Sequence, residues 1–548
     1  MLKRFYISIV FIFLSLILIL IFGGINSLVN SIVLFPPLIA IILALITRDV
    51  IISLFSGIWL GAIISLKPDN FYQFLKAFIT GFFKSLDTYI VNSINTSDHI
   101  SIILFTLLIG GTVGVISSSG GLEGFVLKIS KTISTRIKTQ ISTWLLGIAI
   151  FFDDYANCLI VGNMMRSLSD KYKISREKLS FIIDTTAAPV ASLFLVSTWI
   201  GFELSLIKDS LKSLGISVDA YSVFLNSIPY RFYTIIILLF IPITIYTRRE
   251  FGSMYEAEER AILKNQPLKP GSQVLYSQVN EKKIKPASWI FAIIPILVLI
   301  ITVLAGLFLT GSSNIPPSLE KNLTNILGNA NSFKALLWAG LLSSLVAIFM
   351  TVSFKILSFK QTMDAWLDGL KSMLMAVVVL SLAWAIGDIT KEIKTADYVI
   401  EILKGRLSFW ILPSIIFLVS SIISFATGTS WGTMAIIFPV ALPLACKIGG
   451  MENLNFIYII TGSILSGAIF GDHCSPISDT TILSSIGSAM DHLDHVRTQI
   501  SYAFLVGGFS LIFGYLPTGL GINPYLLNII TLILLTIFLY KFGKKLPV

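Results

Sequence analysis

Charge is what this sequence has least of. Of 548 residues, 13% are Asp, Glu, Lys or Arg, against about 25% in an ordinary soluble domain. Hydrophobic residues make up 55%, and mean hydropathy is +0.86. A soluble protein of this size could not hide so much apolar surface, so the chain is placed among integral membrane proteins. Cysteine is scarce too. Cys158, Cys446 and Cys474 lie in or beside apolar segments. Their odd number and wide spacing exclude a disulfide framework and a cysteine metal cluster. No small-residue cleavage site follows the N-terminal apolar run 5–22, which is longer than a signal-peptide core and reads as a first membrane helix. The net charge of +10 comes from Lys and Arg in the connections between apolar runs, with no interleaved aromatics. That pattern sets topology at a lipid bilayer and offers nothing to nucleic acid.

What is present is a series of apolar runs near the length that spans a bilayer, about 20 residues. They fall near 5–22, 28–46, 50–66, 100–117, 179–202, 230–247, 287–309, 333–352, 371–390, 456–490, 500–517 and 523–541. The stretch 71–86 is shorter, carries Lys76 and Lys84, and reads as interfacial. Segments 141–165 and 409–446 are apolar but interrupted at their centres. Both flanks of 141–165 are strongly basic: Lys128, Lys131, Arg136 and Lys138 before it, Arg166, Lys171, Lys173, Arg176 and Lys178 after it. Two cytoplasmic flanks require that segment to enter and leave from one side, as a hairpin. With 409–446 as a second hairpin from the outer side, Lys3 and Arg4 at one end and Lys541, Lys544 and Lys545 at the other are both cytoplasmic. The expected fold is therefore an all-α polytopic membrane protein of about twelve transmembrane helices plus two hairpins. It divides into an N-terminal membrane half 1–247, a cytoplasmic linker loop 248–286 with a short surface helix, and a C-terminal membrane half 287–548. In this topology 203–229 is an outer connection and the basic ends of 353–371 are cytoplasmic.

The two interrupted segments share a context. Each is apolar up to a Phe and then polar, each follows an amphipathic stretch (123–140 and 391–407), and each precedes a helix broken at a proline. The units span about 118–205 and 387–490, and the topology turns them opposite ways. Such inverted repeats with broken helices recur in secondary transporters, with the binding site at the paired interruptions. Non-helical backbone at membrane depth is tolerated only where it lines a cavity or is buried in protein.

Asp153 and Asp154 interrupt the first hairpin. A carboxylate at mid-bilayer costs about 3 kcal/mol or more unless paired or hydrated. The plain alternative is that one caps a helix starting at Tyr155. Asn157, one turn on, is a neutral oxygen donor or a simple helix–helix hydrogen-bond former. Asp184, Thr185 and Thr186 open the first break, which runs to Ser192 with Pro189 inside it; Asp472, His473, Ser475, Pro476, Ser478, Asp479 and Thr480 lie in the second, which runs from Asp472 to Thr481. Carboxylates, hydroxyls and freed carbonyls together make an oxygen-only site for a hard cation. The alternative for the threonines is back-bonding to the preceding turn. His473 is either a proton carrier or a hydrogen-bond partner of Asp472. No His or Cys other than Cys474 is spaced to make a metal site with it. The second tip, Thr427, Gly428, Thr429 and Ser430, carries no charge. The halves are thus asymmetric, and a buried carboxylate that takes a proton or a cation but not both is the simplest basis for exchange.

The stretch Phe470-Gly-Asp-His-Cys-Ser-Pro-Ile-Ser-Asp-Thr-Thr-Ile-Leu-Ser-Ser485 resembles the signature of the NhaC family of sodium/proton antiporters. Phe152-Asp-Asp-Tyr-Ala-Asn-Cys-Leu-Ile-Val-Gly162 and Ile183-Asp-Thr-Thr-Ala-Ala-Pro-Val-Ala-Ser192 are similar to that family's N-terminal half. The resemblance implies the ion-transporter fold group, exchange of cytoplasmic Na+ for external H+, sodium export and pH homeostasis at the cytoplasmic membrane, and no cofactor beyond the transported ions. It also implies that homodimers are common in the fold group and that some relatives exchange malate and lactate. An organic-acid exchanger should need a buried Arg or a helix N-terminus for its anion; no Arg is mid-span in the expected topology, which favours the cation. An enzyme is not expected. The intramembrane aspartyl proteases need Gly-x-Gly-Asp, and Ile469-Phe470-Gly471-Asp472 fails that pattern. A passive channel does not need paired broken helices.

Overall fold

The structure is a computed structural model. It describes residues 32–547 apart from 48, 131–132, 273–285, 316–325, 327–328, 396–397, 399–407 and 450–452. The expected first span 5–22, Lys3, Arg4, Lys131 and parts of 248–286 and 391–407 lie outside the described residues.

The chain opens with α1 (Phe35–Thr47), α2 (Val50–Ser65), α3 (Phe71–Lys84), α4 (Ser97–Ser118) and α5 (Gly121–Ser130). Then come α6 (Arg136–Ala149), α7 (Asp154–Lys171), α8 (Arg176–Thr185), α9 (Ala188–Leu193), α10 (Ile200–Ser213), α11 (Ala220–Ser227) and α12 (Phe232–Thr247). A two-residue strand β1 (Arg249–Glu250) leads into α13 (Gly252–Lys264). The second half holds α14 (Ile290–Asn314), α15 (Ser332–Ser353), α16 (Phe359–Ser372), α17 (Leu374–Glu392), α18 (Leu412–Thr427), α19 (Ser430–Gly449), α20 (Leu454–Cys474), α21 (Asp479–Ser488), α22 (His492–Phe509), α23 (Pro524–Phe542) and β2 (Lys544–Lys545). β1 and β2 pair antiparallel, Arg249 opposite Lys545, and are the only strands among the described residues. The protein is an all-α polytopic membrane protein.

Nine described helices are long and apolar enough to cross a membrane, or ten if Ala220–Tyr230 and Phe232–Thr247, bent by 51°, form one span. The expectation of about twelve spans plus two hairpins differs in identifiable places. The arms of the second hairpin, α18 and α19, are themselves long enough to count among the nine. The runs at 28–46 and 50–66 yield shorter helices, and 179–202 ends as a helix at Leu193 instead of continuing. The stretch after it, read as an outer connection, holds α10 and α11, whose side chains are largely buried. The expected cytoplasmic connection 353–371 holds α16, started by a reciprocal Ser358–Gln361 capping box and running on into α17. The stretch 71–86 belongs to a longer helix, continued by a π-helical turn Ser85–Ile90 and Val91–Ile94.

Both hairpins form. In the first, α6 stops at Ala149, and Asp153, in extended conformation, caps α7 by accepting from Ala156 N at 2.7 Å. In the second, Gly428 turns the chain at φ +69°, and a Cβ there would meet the Ile477 carbonyl at 2.6 Å. Only glycine meets both demands, so this tip is locked onto the second break. The first hairpin touches its own break likewise: a Cβ at Gly147 would sit 2.0 Å from Thr186 Oγ1. Hairpin α6–α7 and α8 pack with Ile116 of α4, Leu122 and Val126 of α5, and Ala292 and Ile296 of α14 in an apolar cluster around Leu146, Phe152, Val161, Met165 and Ile183, separate from the main core.

The linker is more firmly held than its mixed charge suggests. α13 buries Met254, Ala257, Glu258 and Ala261. Glu258, fully buried, pairs with Arg136 and accepts from Ser175 N at 2.8 Å; Arg260 pairs with Glu177 at 2.9 Å, and Lys178 with Glu250 at 2.8 Å. Burial pushes the Glu177 and Glu250 carboxyls above the usual range, partly offset by Arg260 and Lys178.

Candidate functional site

The interruptions meet at one place. Asp153, Asp154, Asn157, Asp184, Thr185, Thr186, Asp472, His473, Ser475, Ser478 and Thr480 are all buried, as are Pro189, Thr427, Gly428 and Ser430. Thr429 and Pro476 are half-buried, and Asp479 is exposed. Cys158 on α7 lies within electrostatic reach of Asp153, Asp154, Asp184 and Asp472, so four carboxylates from a hairpin tip and two helix breaks surround one turn of α7.

Asp184 is the best-connected of them. Its Oδ2 accepts from Gln499 Nε2 at 2.5 Å and Thr481 Oγ1 at 3.0 Å, and lies 3.3 Å from His495 Nε2. Its Oδ1 is buried with no partner. Thr185 Oγ1, Asn157 Oδ1 and Gln499 Oε1 are also buried and unpartnered. Unsatisfied buried oxygens are costly and rare. Oxygens of this kind are the donors that a hard cation prefers. Asn157 Nδ2 donates to the Gly147 carbonyl at 2.6 Å and the Thr186 carbonyl at 2.8 Å, pinning the hairpin to the break.

Asp472 Oδ2 accepts from Thr480 Oγ1 at 3.3 Å and lies within electrostatic reach of Asp184, Asp479 and Asp154. Asp153 has the capping role already described; the Thr198 hydroxyl lies beside it and the Trp199 indole beside Asp154. Two threonines take the back-bonded arrangement: Thr186 Oγ1 donates to Ile182 O and Thr427 Oγ1 to Ile423 O. Each then has its proton committed and only lone pairs left to offer. Ser430 Oγ donates to Ala468 O at 3.2 Å, and Thr429 Oγ1 accepts from Gly432 N at 3.3 Å. Ser475 Oγ accepts from Ile477 N, and Ser478 caps α21.

His473 is not a partner of Asp472. Its Nε2 lies 3.3 Å from the Asp184 carbonyl and its Nδ1 2.9 Å from Tyr233 Oη. A carbonyl only accepts, so Nε2 carries the proton and Nδ1 accepts from the tyrosine, which satisfies both nitrogens of a neutral ring. Asp479 also departs from expectation, standing outside the buried group and accepting from Tyr155 Oη at 3.1 Å.

Thr481 closes the second break read from the sequence without being singled out there; Tyr233, His495 and Gln499 were missed. His495 and Gln499 are four apart on the polar start of α22, a spacing that puts them on one helix face. Tyr233 gives no such signal. The basic residues flanking the first hairpin do more than set topology: Arg176 and Arg166 donate to the Ser488 and Gly487 carbonyls. Cations at that C-terminus hold α21, and so Thr480 and Thr481, in register.

The Na+/H+ antiporter family matches residues 190–520. The chain belongs to that family. This antiporter is 31% identical to an uncharacterized protein of Haemophilus influenzae over 88% of its own length and 90% of the relative's. It is 37% identical to the malate-2H+/Na+-lactate antiporter of Bacillus subtilis over 26% of its length and 30% of that protein's. Among solved structures, Neisseria gonorrhoeae MtrF, described as illuminating a class of antimetabolite efflux pumps, aligns at a TM-score of 0.55 and 14% identity. That alignment covers 91% of this chain and 97% of MtrF. The Alcanivorax borkumensis YdaH transporter aligns at 0.51 and 13%, over 84% and 90%. These structural likenesses concern the fold. The family is one of transporters of the antiporter type, not enzymes.

Proposed function

We propose that this antiporter exchanges cytoplasmic Na+ for external H+ at the cytoplasmic membrane, with both termini cytoplasmic, and so serves sodium export and pH homeostasis. The observation that carries the reading is Asp184 Oδ1, buried and unpartnered, with unpartnered oxygens also on Thr185, on Gln499, whose Nε2 donates to Asp184 Oδ2, and on Asn157, whose Nδ2 donates to the Thr186 carbonyl. In this reading Na+ takes those oxygens when the carboxylates around Cys158 are ionised, and protons take the carboxylates when Na+ leaves. Low dielectric makes the two states exclusive, because adjacent buried carboxylates cannot all stay ionised without a cation. The hairpin unit then moves against the rest of the protein, as paired broken helices in inverted repeats do in alternating access.

The test uses inside-out membrane vesicles with an interior pH dye, energised and then given Na+. Na+ entry should alkalinise the interior, and no Na+-dependent alkalinisation at any pH would overturn the sodium assignment.

A second reading, a Na+- or H+-coupled organic-acid exchanger, needs a cationic group for its anion. Arg231, fully buried at the bend before α12, is already committed to Glu203 at 3.3 Å, to the Ser192 carbonyl at the end of the first broken helix and to Ser227.

A further inference from the structure

Two helices that contribute no residue to either break hold the breaks together. Tyr233 sits in the first turn of α12 and Gln499 midway along α22. Both helices lie outside 118–205 and 387–490, the stretches expected as repeat units. Tyr233 is fully buried, its ring packed edge-on against Phe470 at 5.1 Å, and its hydroxyl meets His473 Nδ1 at 2.9 Å. Across the same imidazole, Nε2 meets the Asp184 carbonyl at 3.3 Å. Gln499 Nε2 closes a second link, donating to Asp184 Oδ2 at 2.5 Å and to the His473 carbonyl at 2.9 Å.

These bonds decide which oxygens stay open. The Asp184 carbonyl also accepts from Ala187 N at 3.1 Å, so both of its lone pairs are taken. Both amide protons of Gln499 are committed as well, which fixes the amide's orientation and leaves Oε1 as its open end. A break in a transporter helix ordinarily frees a backbone carbonyl for the cation. Here the carbonyl of Asp184 is closed, and Asp184 Oδ1 and Gln499 Oε1 remain. His473 closes that carbonyl only as the Nε2–H tautomer, and the group at Nδ1 selects the tautomer.

We propose that Tyr233 is a positioning residue of the ion site and sets its selectivity. By donating to His473 Nδ1 it keeps the proton on Nε2, and Nε2 keeps the Asp184 carbonyl away from the ion. Without the hydroxyl the proton is free to move to Nδ1, and the Nε2 lone pair then faces the carbonyl, two acceptors in contact. The carbonyl is released and joins the open oxygens. Selectivity among hard cations follows ligand number and cavity size, so an added oxygen favours a larger ion than Na+. The inference rests on Asp184 being the Na+ site, as proposed above.

The experiment uses the full-length protein with Tyr233→Phe, which keeps the ring against Phe470 and removes one hydroxyl. Nitrogen-15 NMR of histidine-labelled protein reads the tautomer; the chain has 4 histidines, and His473→Gln assigns the signal. The parent should show a neutral Nε2–H ring at His473, and Tyr233→Phe should move the proton to Nδ1. In proteoliposomes, Tyr233→Phe should raise the KM for Na+ at least fivefold, with kcat within twofold, and K+ should compete at least fivefold better. In the His473→Gln background, where an amide takes the place of Nε2 and has no tautomer, Tyr233→Phe should change KM by less than twofold. An unchanged tautomer, a KM within twofold of the parent, or an equal loss in both backgrounds each overturns the proposal. A tautomer that moves as expected in a protein with no Na+/H+ exchange would leave the Tyr233–His473 link standing and sink the antiport reading instead.

Discussion

At the scale of single residues, burial and hydrogen bonding separate carboxylates that look alike in the sequence. Asp184 is fully buried with Gln499, Thr481 and His495 on its carboxylate, whereas Asp479 is exposed and touches Tyr155. Asp184→Asn should lower Na+-dependent exchange by about a hundredfold or more, since it removes charge from a water-excluded site. Asp479→Asn should stay within about twofold, as substitutions at exposed positions usually do. Equal losses in vesicle assays would contradict the assignment. Competition also has a direction: apparent KM for Na+ should rise as pH falls, approaching about tenfold per pH unit when one proton excludes one Na+. A KM independent of pH would mean that the ions do not share a site. The sequence exposed Asp153, Asp154, Asp184 and Asp472 because charge inside an apolar run is expensive. It hid Tyr233, His495 and Gln499, because a polar residue on a membrane helix has several uses and only the tertiary fold says which face meets Asp184.

Among elements, the hairpins were legible and α10 was not. Basic residues on both sides of 141–165 forced a same-side return, and Gly428 marked the turn of the second. Nothing comparable marks 200–213, whose Glu203, Lys208, Asp209 and Lys212 make it look like a solvated connection. Glu203 is instead buried against Arg231. Arg231→Met leaves that carboxylate unpaired and should cost about 3–5 kcal/mol. Adding Glu203→Leu should recover most of the loss, read as the melting temperature of purified protein; a double variant no better than the single one would contradict a pairwise role. Gly428→Ala forces a Cβ onto the Ile477 carbonyl in a left-handed turn, so exchange should fall by about tenfold or more. Retained activity would show that the second tip does not need its seat on the break.

For the whole molecule, the composition fixed membrane insertion and the helical class, while the docking of the linker was out of reach. Its mixed charge suggested solvation, but Glu258, Arg260 and Glu250 bind Arg136, Glu177 and Lys178 at the base of the first unit. Glu177 and Glu250 have carboxyls raised by burial, so their protonated forms favour docking, and that contribution is lost as pH rises through their raised range. Amide exchange across Gly252–Lys264 should accordingly speed up as pH rises through that range, beyond the intrinsic rate change, and uniform protection would contradict this. The ion site is the central claim, and the most direct test is proton release. Na+ added to purified protein in weak buffer above the site's titration midpoint should release few protons, and below it should release protons saturably with Na+. Asp184→Asn should abolish that release. Na+ binding with no proton released at any pH would contradict a site where the two ions exclude each other.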